Sequence, residues 1–455
     1  MPFTNFLRIV ASRPRSSTKG PLDADDNPLA SPTGLVSQAQ RLSGTISQNS
    51  SPRTSLSQTR SLVRATAAPR SETPVMRRDF SFLLKPEIYH QLSPLTIPAP
   101  FRSPARQPAA DTPIPDLLAA GHFRAAAIAA AQELTGTSPG SHNRGAATAP
   151  LLATDHARIF DLLYVRLSCL CLIDAVPLAA QEAKALEDLN SAFYTDVDAE
   201  TASSGTSSGT HLAPWALRTL VVRLQTIGFG DPRRAVMSYY ELAREARSEA
   251  ARAAARRDHS AAEVWKRRLV DLGVRVAGAL VEMDDLAGAA AHLASLADSG
   301  DDARLAVSRA LLWLHIGDVD AARRCCAGIA AAGGMPVRAV DALADMADGE
   351  YEVALGKWRA LREEMGRDGV RDEMVGVNLA VCLLYIGRMP EGRHLLEELV
   401  DAGQTSHTLL FNLTTMYELC SDRAKTLKMR LAERVADIEP GSGGGWEKTN
   451  ADFKL

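Results

Sequence analysis

Along much of the chain, small and apolar residues recur at intervals of three and four, the spacing that lines side chains up on one face of an α-helix. In the stretch GEYEVALGKW, Gly349 is followed by Tyr351, then Ala354, then Trp358. A helix beginning near Glu350 carries these three on one stripe. Ala354 lets a neighbouring helix approach closely, while Tyr351 and Trp358 fill the space above and below that contact. The same offsets return at Asp284, Leu286, Ala289 and Leu293, at Gly317, Val319, Ala322 and Cys326, and at Gly387, Met389, Gly392 and Leu396. The Tyr351 position therefore falls at 286, 319, 351 and 389. The helix ahead of each turn follows a rule of its own: Ala277 with Leu280, Ala310 with Trp313, and Ala380 with Leu383 place a small and then a larger apolar residue. Ala342 is followed instead by Asp345, a departure.

Three looser copies precede these: Gly121, Phe123, Ala126 and Ala130; Asp174, Val176, Ala179 and Ala183; and Asp231, Arg233, Val236 and Tyr240. A turn residue leading a helix with this spacing, repeated about every 34 residues, resembles the second-helix signature of the tetratricopeptide repeat. The pattern predicts an all-α, tetratricopeptide-repeat-like solenoid over 112–438, with Tyr351, Ala354 and Trp358 facing the preceding helix. Stacked helix pairs of this kind offer a long surface suited to extended peptides or partner helices.

Outside the repeats the pattern changes. Residues 1–77 are rich in Ser, Thr, Pro and Arg and poor in large apolar side chains, which predicts a disordered tail. Their first twenty residues also suit a mitochondrial presequence, although Pro14 interrupts the possible helix. Ser31, Ser51, Ser93 and Ser103 each precede a proline and are candidate phosphorylation sites. Residues 78–111 read as an extended strap. Its apolar part, RDFSFLLKPEIYHQLSPLTIPAPF, either clamps a partner surface or lies along the chain's own first helices. Two polar insertions, TGTSPGSHNRGAATAP and TDVDAETASSGTSSGT, read as loops, and 439–455 as a flexible tail with Trp446 and Phe453 as late anchors.

A formal charge of −3 over 455 residues argues against a nucleic-acid-binding body. The most apolar run, LSCLCLIDAVPLAA, contains Asp174 and Pro177 and is too short to span a bilayer, so membrane association is expected only through partners. The six cysteines form no C-x-x-C pair and have no histidine at zinc-finger spacing; small buried thiols in a reduced cytosolic chain are expected. His292, His315, His394 and His407 are isolated from one another, and GSGGG at 441–445 lacks the strand and helix of a phosphate loop. No nucleophile with a base, metal set or cofactor motif emerges, so no enzyme, metal or cofactor is predicted. Asn378 and Asn412 occupy equivalent repeat positions, but the Lys and Arg companions of a chaperone-type carboxylate clamp are missing.

The last repeat is more distinctive. Leu410, Phe411, Asn412 and Leu413, then Thr415, Met416, Tyr417, Glu418 and Leu419, run into a basic helix. This run resembles the C-terminal repeat of the subunit-twelve family of the transport protein particle (TRAPP) complex. The strap and PWALRTLVVRLQTIGFGDPRRAVMSYYEL look like the same family, which extends the similarity over roughly 78–438. The resemblance implies a non-catalytic accessory subunit of a vesicle-tethering assembly whose core activates a Rab-type GTPase. It also implies other TRAPP subunits as partners, especially subunit eleven and the shared core, in endoplasmic reticulum to Golgi traffic and autophagy. The expected location is cytoplasmic, peripheral to Golgi or pre-Golgi membranes. A soluble peptide-binding adaptor or co-chaperone is the alternative. Asn378, Phe411, Asn412 and Tyr417 are the partner-binding candidates, with Leu410 and Phe411 expected to pack inward and Tyr417 to lie nearer the contact.

Overall fold

The computed structural model describes residues 78–93, 107–137, 151–196, 210–296, 302–327, 334–367 and 372–438. The readings of residues 1–77, 94–106 and 439–455, including Trp446, Phe453 and the GSGGG run, lie outside the described residues, as do 138–150 and 197–209 of the two polar loops.

The described residues form sixteen α-helices: α1 Ile114–Ala119, α2 Phe123–Thr135, α3 His156–Leu172, α4 Val176–Ala183, α5 Trp215–Ile227, α6 Pro232–Ala255, α7 His259–Glu282, α8 Leu286–Ser295, α9 Ala303–Ile316, α10 Val319–Ala327, α11 Gly334–Asp348, α12 Tyr351–Arg367, α13 Glu373–Tyr385, α14 Met389–Asp401, α15 His407–Cys420 and α16 Ala424–Asp437. Consecutive helices pack against each other, and first helices of successive pairs also touch, as α7 with α9, α9 with α11, and α13 with α15. This is the stacking of a helical-repeat solenoid.

The turn residues determine where each second helix begins. Gly121, Asp174, Asp284, Gly317, Gly349 and Gly387 all have positive φ. The residue after each sends its N–H back five positions, as Glu350 to Asp345 O at 2.9 Å and Arg388 to Leu383 O at 2.8 Å. That left-handed cap satisfies carbonyls the ending helix would otherwise orphan. Aspartate then often opens the next helix: the Asp285, Asp302 and Asp372 side chains accept N–H groups of its first turn. As a result, Leu286, Val319, Tyr351 and Met389 are each the first residue of a helix.

The predicted stripes are buried from their small residue onward, while at their heads Leu286 is exposed and Val319, Tyr351 and Met389 are half-buried. Ala289, Ala322 and Ala354 are closed off, as are Leu293, Trp358 and Leu396. Gly392 takes the alanine position in α14 because a Cβ there would stand 3.0 Å from Met416 Cε and 3.1 Å from Ala380 O. The earlier copies at Ala126, Ala130, Ala179 and Ala183 are also buried. The third is displaced by one residue. Gly230, not Asp231, has the positive φ, and the buried stripe is Ala235 and Tyr239, leaving Tyr240 exposed. Asp231 is instead the helix cap, its side chain accepting from Arg234 N–H, and Pro232 starts α6.

The core has three parts along the chain: one from Phe80 to Leu224, a small one built on Val222, Tyr239, Leu242 and Leu272, and one from Val274 to Val435. Two features depart from expectation. The Ala-rich stretch ARSEAARAAARRDHSAAEVW, 246–265, joins a pair of 24-residue helices, α6 and α7, broken at Arg257 with φ 59°. The second polar loop is pinned by a two-residue antiparallel ladder, β1 Thr195–Asp196 against β2 Thr210–His211. The strap lies on the chain's own helices over 78–93: Phe80 and Leu83 are fully buried, and Phe80 meets Phe160 edge-on with ring centroids 5.1 Å apart.

Candidate functional site

The side chains singled out from the sequence fall on α13 and α15, the first helices of the last two pairs. Asn378 is buried and donates its amide to Met374 O at 2.8 Å; Asn412 donates to Thr408 O at 2.8 Å. The two amides therefore do the same thing in equivalent places: each bonds back one turn along its own helix. The structure brings them to matching positions on α13 and α15.

The two aromatic candidates exchange places. Phe411 is 40% exposed and stands near the His407 ring, with centroids 6.0 Å apart. Tyr417 is 2% exposed and its hydroxyl donates to Glu397 Oε1 at 3.0 Å. Burial first, and then the Glu397 carboxylate, push the Tyr417 phenol above its ordinary range, so it remains a neutral donor. The correction is geometric: Tyr417 sits about one and two-thirds turns after Phe411, on the side that faces α14, together with buried Leu410, Leu413 and Met416. The basic helix α16 closes over that side through Leu431, Ala432 and Val435, and Lys428, itself buried, meets Glu418 at 2.6 Å. Leu419 and Met429 remain exposed with Phe411.

A second exposed aromatic site lies one repeat earlier. Tyr351 and Tyr385 stack face to face, centroids 4.3 Å apart and planes within 1°, with Tyr385 60% exposed. Tyr385 and Leu419, 34 positions apart, are exposed alike near the ends of α13 and α15. The last two pairs thus present Tyr385, Phe411 and Leu419, apolar groups that a monomer leaves in water.

An open depression of about 550 Å³ is lined by Ile316, Gly317, Asp318, Val319, Asp320, Arg323 and Asp348. Its charged groups are engaged with each other: Arg323 reaches Asp348 at 2.8 Å and Asp345 at 3.1 Å. Among the described residues, no group of three or more His, Cys, Asp or Glu is placed to hold a metal ion. Burial pushes the Cys326 thiol up to about 11 and the Cys382 thiol up to about 12, away from reactive thiolate character.

Sequence reasoning missed several buried or stacked cations. Arg166 pairs with Glu182, Arg218 with Glu245, and Arg268 lies over both Trp265 and Trp215, 4.4 and 5.1 Å from their ring centroids. The only local signal is a lone arginine inside an apolar stretch, as in LLYVRLSCL around Arg166.

No model of a known protein family matches the chain. Trafficking protein particle complex subunit 12 of Homo sapiens is 40% identical over 82 residues, 17% of this chain and 11% of that protein. The Mus musculus protein of the same name is 44% identical over 68 residues, 14% of this chain and 8% of that protein. The matches therefore span a small part of the length of these relatives. A crystallised tetratricopeptide repeat protein from Parabacteroides merdae ATCC 43184 aligns over 62% of this chain and 93% of its own, at 15% identity and a TM-score of 0.35.

Proposed function

We propose that the chain is a non-catalytic helical-repeat subunit of a TRAPP-type tethering assembly. The observation that carries this reading is the 40% identity over 82 residues to a trafficking protein particle complex subunit, in a chain made of stacked helix pairs. Such pairs provide extended surface in place of a reaction centre, and the assembly supplies the activity. On this reading the partners are other TRAPP subunits, subunit eleven and the shared core foremost. The chain supports Rab-type GTPase activation indirectly, in endoplasmic reticulum to Golgi transport and autophagy. Attachment to Golgi or pre-Golgi membranes then comes through partners; no helix among the described residues is long and apolar enough to cross a membrane.

Within this reading, Phe411, Leu419 and Tyr385 form the apolar part of the docking surface, and Asn378 and Asn412 mark its repeat register. Tyr417 serves it from beneath, by fixing α15 on α14.

A second reading, a soluble peptide-binding adaptor of the co-chaperone type, is favoured by one observation: an extended segment, residues 78–93, is already seated on the first helices. Affinity purification of the tagged full chain, with identification of what co-purifies, separates the two. Recovery of TRAPP subunits in fixed ratio is the expected result. Recovery of chaperones without them favours the adaptor, and recovery of neither overturns the proposal.

A further inference from the structure

Arg166 in α3 and Glu182 in α4 are each 1% exposed. The guanidinium donates twice to the carboxylate, Nε to Oε2 at 2.9 Å and Nη2 to Oε1 at 2.7 Å. Its Nη1 donates to Ala127 O in α2 at 3.0 Å. That leaves the outer edge of the pair, and it is used on one residue of the strap: Nη2 donates to His90 O at 2.7 Å, while Glu182 Oε1 accepts His90 N–H at 2.8 Å. The pair therefore takes both main-chain groups of a single residue, as a neighbouring strand does, and the same Glu182 Oε1 also lies 3.4 Å from the His90 ring nitrogen Nδ1. Three residues on, buried Arg124 of α2 donates from Nη1 to Ser93 O at 3.0 Å.

The side-chain anchors lie upstream. Phe80 enters a nest of aromatic rings, 5.1 Å from both the Phe160 and Phe193 centroids and 6.0 Å from that of Tyr194, and Leu83 is buried one turn later. The Phe80 N–H donates to Ala153 O at 2.8 Å. The segment itself contains only two short 3₁₀ turns, Ser81–Leu84 and Pro86–Ile88. Apolar pockets for spaced side chains, followed by charged groups that take the backbone, are the anatomy of a peptide-recognition site.

Stability alone is a poor explanation for the charges. A buried ion pair is costly to desolvate, and well-packed apolar residues of similar volume commonly stabilise as much or more. What an apolar pair cannot do is hold a passing main chain by its N–H and C=O.

We infer that α2, α3 and α4, with the turn Ala192–Tyr194 that completes the Phe80 pocket, form a binding site for extended peptides carrying Phe-x-x-Leu anchors, read on their backbone by Arg166, Glu182 and Arg124, and that residues 78–93 are its resident and exchangeable occupant. The inference is independent of membership in a tethering complex.

The test uses the full chain with a specific protease sequence inserted between residues 100 and 101, cut under native conditions. A fluorescent synthetic peptide of residues 78–93 is then titrated in and followed by polarisation. Saturable binding with release of the cut N-terminal fragment is the expected result. The same peptide with Phe80→Ala and Leu83→Ala should bind at least about tenfold more weakly, from the buried area lost. A peptide N-methylated at the His90 amide should lose about tenfold or more, the worth of a hydrogen bond to a charged acceptor. In the cut Arg166→Met/Glu182→Leu chain, which orphans neither charge, binding should fall likewise. The N-methyl peptide keeps the question decidable if that double variant fails to fold. A cut chain that remains helical yet takes up no peptide, or an N-methyl peptide that binds like the unmodified one, overturns the inference. Because the uncut chain can be assayed for co-purifying TRAPP subunits separately, either result leaves the proposed function standing or falling by itself.

Discussion

The indole N–H of Trp358 points at the sulfur of Met346, 3.2 Å away, and ties the second helix α12 to the first helix α11 across the Gly349 turn. Trp358 has no exposed surface and Ala354, one turn before it, has none either. The small residue permits the approach, and the large one fills what the approach leaves. Trp358→Ala should therefore cost about 3–5 kcal/mol through the cavity it opens. Ala354→Trp should cost about 1–3 kcal/mol by overpacking the same contact. Urea unfolding followed by circular dichroism reads both; a wild-type midpoint in either variant removes that residue from the helix contact.

Asp345 explains the one break in the repeat grammar. It stands where α9 and α13 place Trp313 and Leu383, and it is buried, with Arg323 of α10 at 3.1 Å and Lys357 of α12 at 2.6 Å. Burial works against the Lys357 charge, but Asp341 and Asp345 outweigh it and hold the ammonium above its ordinary range. Both cations are about a third exposed and keep a second carboxylate, Asp348 or Asp341. Asp345→Leu should accordingly change stability by less than about 1 kcal/mol or raise it, since removing the buried charge leaves neither cation stranded. Replacing Arg323 and Lys357 together by Met, which strands Asp345, should cost about 3–5 kcal/mol. Equal losses in the two experiments would show that the network is not organised around the buried carboxylate.

What the sequence carried openly was backbone. A glycine or aspartate at positive φ announces itself by residue type, and the periods counted from Gly317, Gly349 and Gly387 run to the correct first residues of α10, α12 and α14. The count slipped by one in GFGDP, where adjacent turn and cap residues compete and only the fold shows that Gly230 turns and Asp231 caps. Facing was harder to read. In α13 the run Val375 to Ala380 is buried without interruption, so periodicity offers no outer side there, and in α15 it could not tell Phe411 from Tyr417. The Arg166–Glu182 site was beyond local pattern altogether, because its pieces, His90, Ala127, Arg166 and Glu182, meet only when the chain has folded back across itself.

Glu373 should make stability pH-dependent in a defined direction. It opens α13, and the Ser406 hydroxyl capping α15 donates to its carboxylate. Burial dominates and raises the carboxyl above 4.5, with the Ser406 bonds pulling the other way but not prevailing. The folded state thus keeps a proton that the unfolded chain has released. The stabilisation is fully present below about 4.5 and is lost as pH rises through the folded value. Glu373→Gln keeps the hydrogen-bonding shape without the titration. Its stability relative to wild type should climb with pH across that window and then level off. Parallel pH profiles of the unfolding midpoint for the two proteins would contradict this account.

Phe411 and Tyr417 offer the sharpest test of how this chain meets its partners, because they lie on one helix and differ in what they touch. Phe411 exposes 40% of its surface, so Phe411→Ser should alter the monomer's stability by no more than about 0.5 kcal/mol, the range for surface changes. If α15 docks a TRAPP subunit through Phe411 and its exposed neighbour Leu419, that same variant should lower co-purification well below the wild-type yield, since apolar anchors carry much of an interface's energy. Tyr417→Phe reverses the pattern. It removes the hydroxyl that meets Glu397 at 3.0 Å in a site 2% exposed, which should cost about 1–2 kcal/mol of stability. The outer face of α15 is left as it was, and co-purification should follow the folded fraction alone. Two readouts on two variants therefore form a square: yield without stability for Phe411, stability without yield for Tyr417. A Phe411→Ser chain that recovers its complex in full would remove α15 from the docking surface and leave exposed Tyr385, stacked on half-buried Tyr351 one repeat earlier, to carry it.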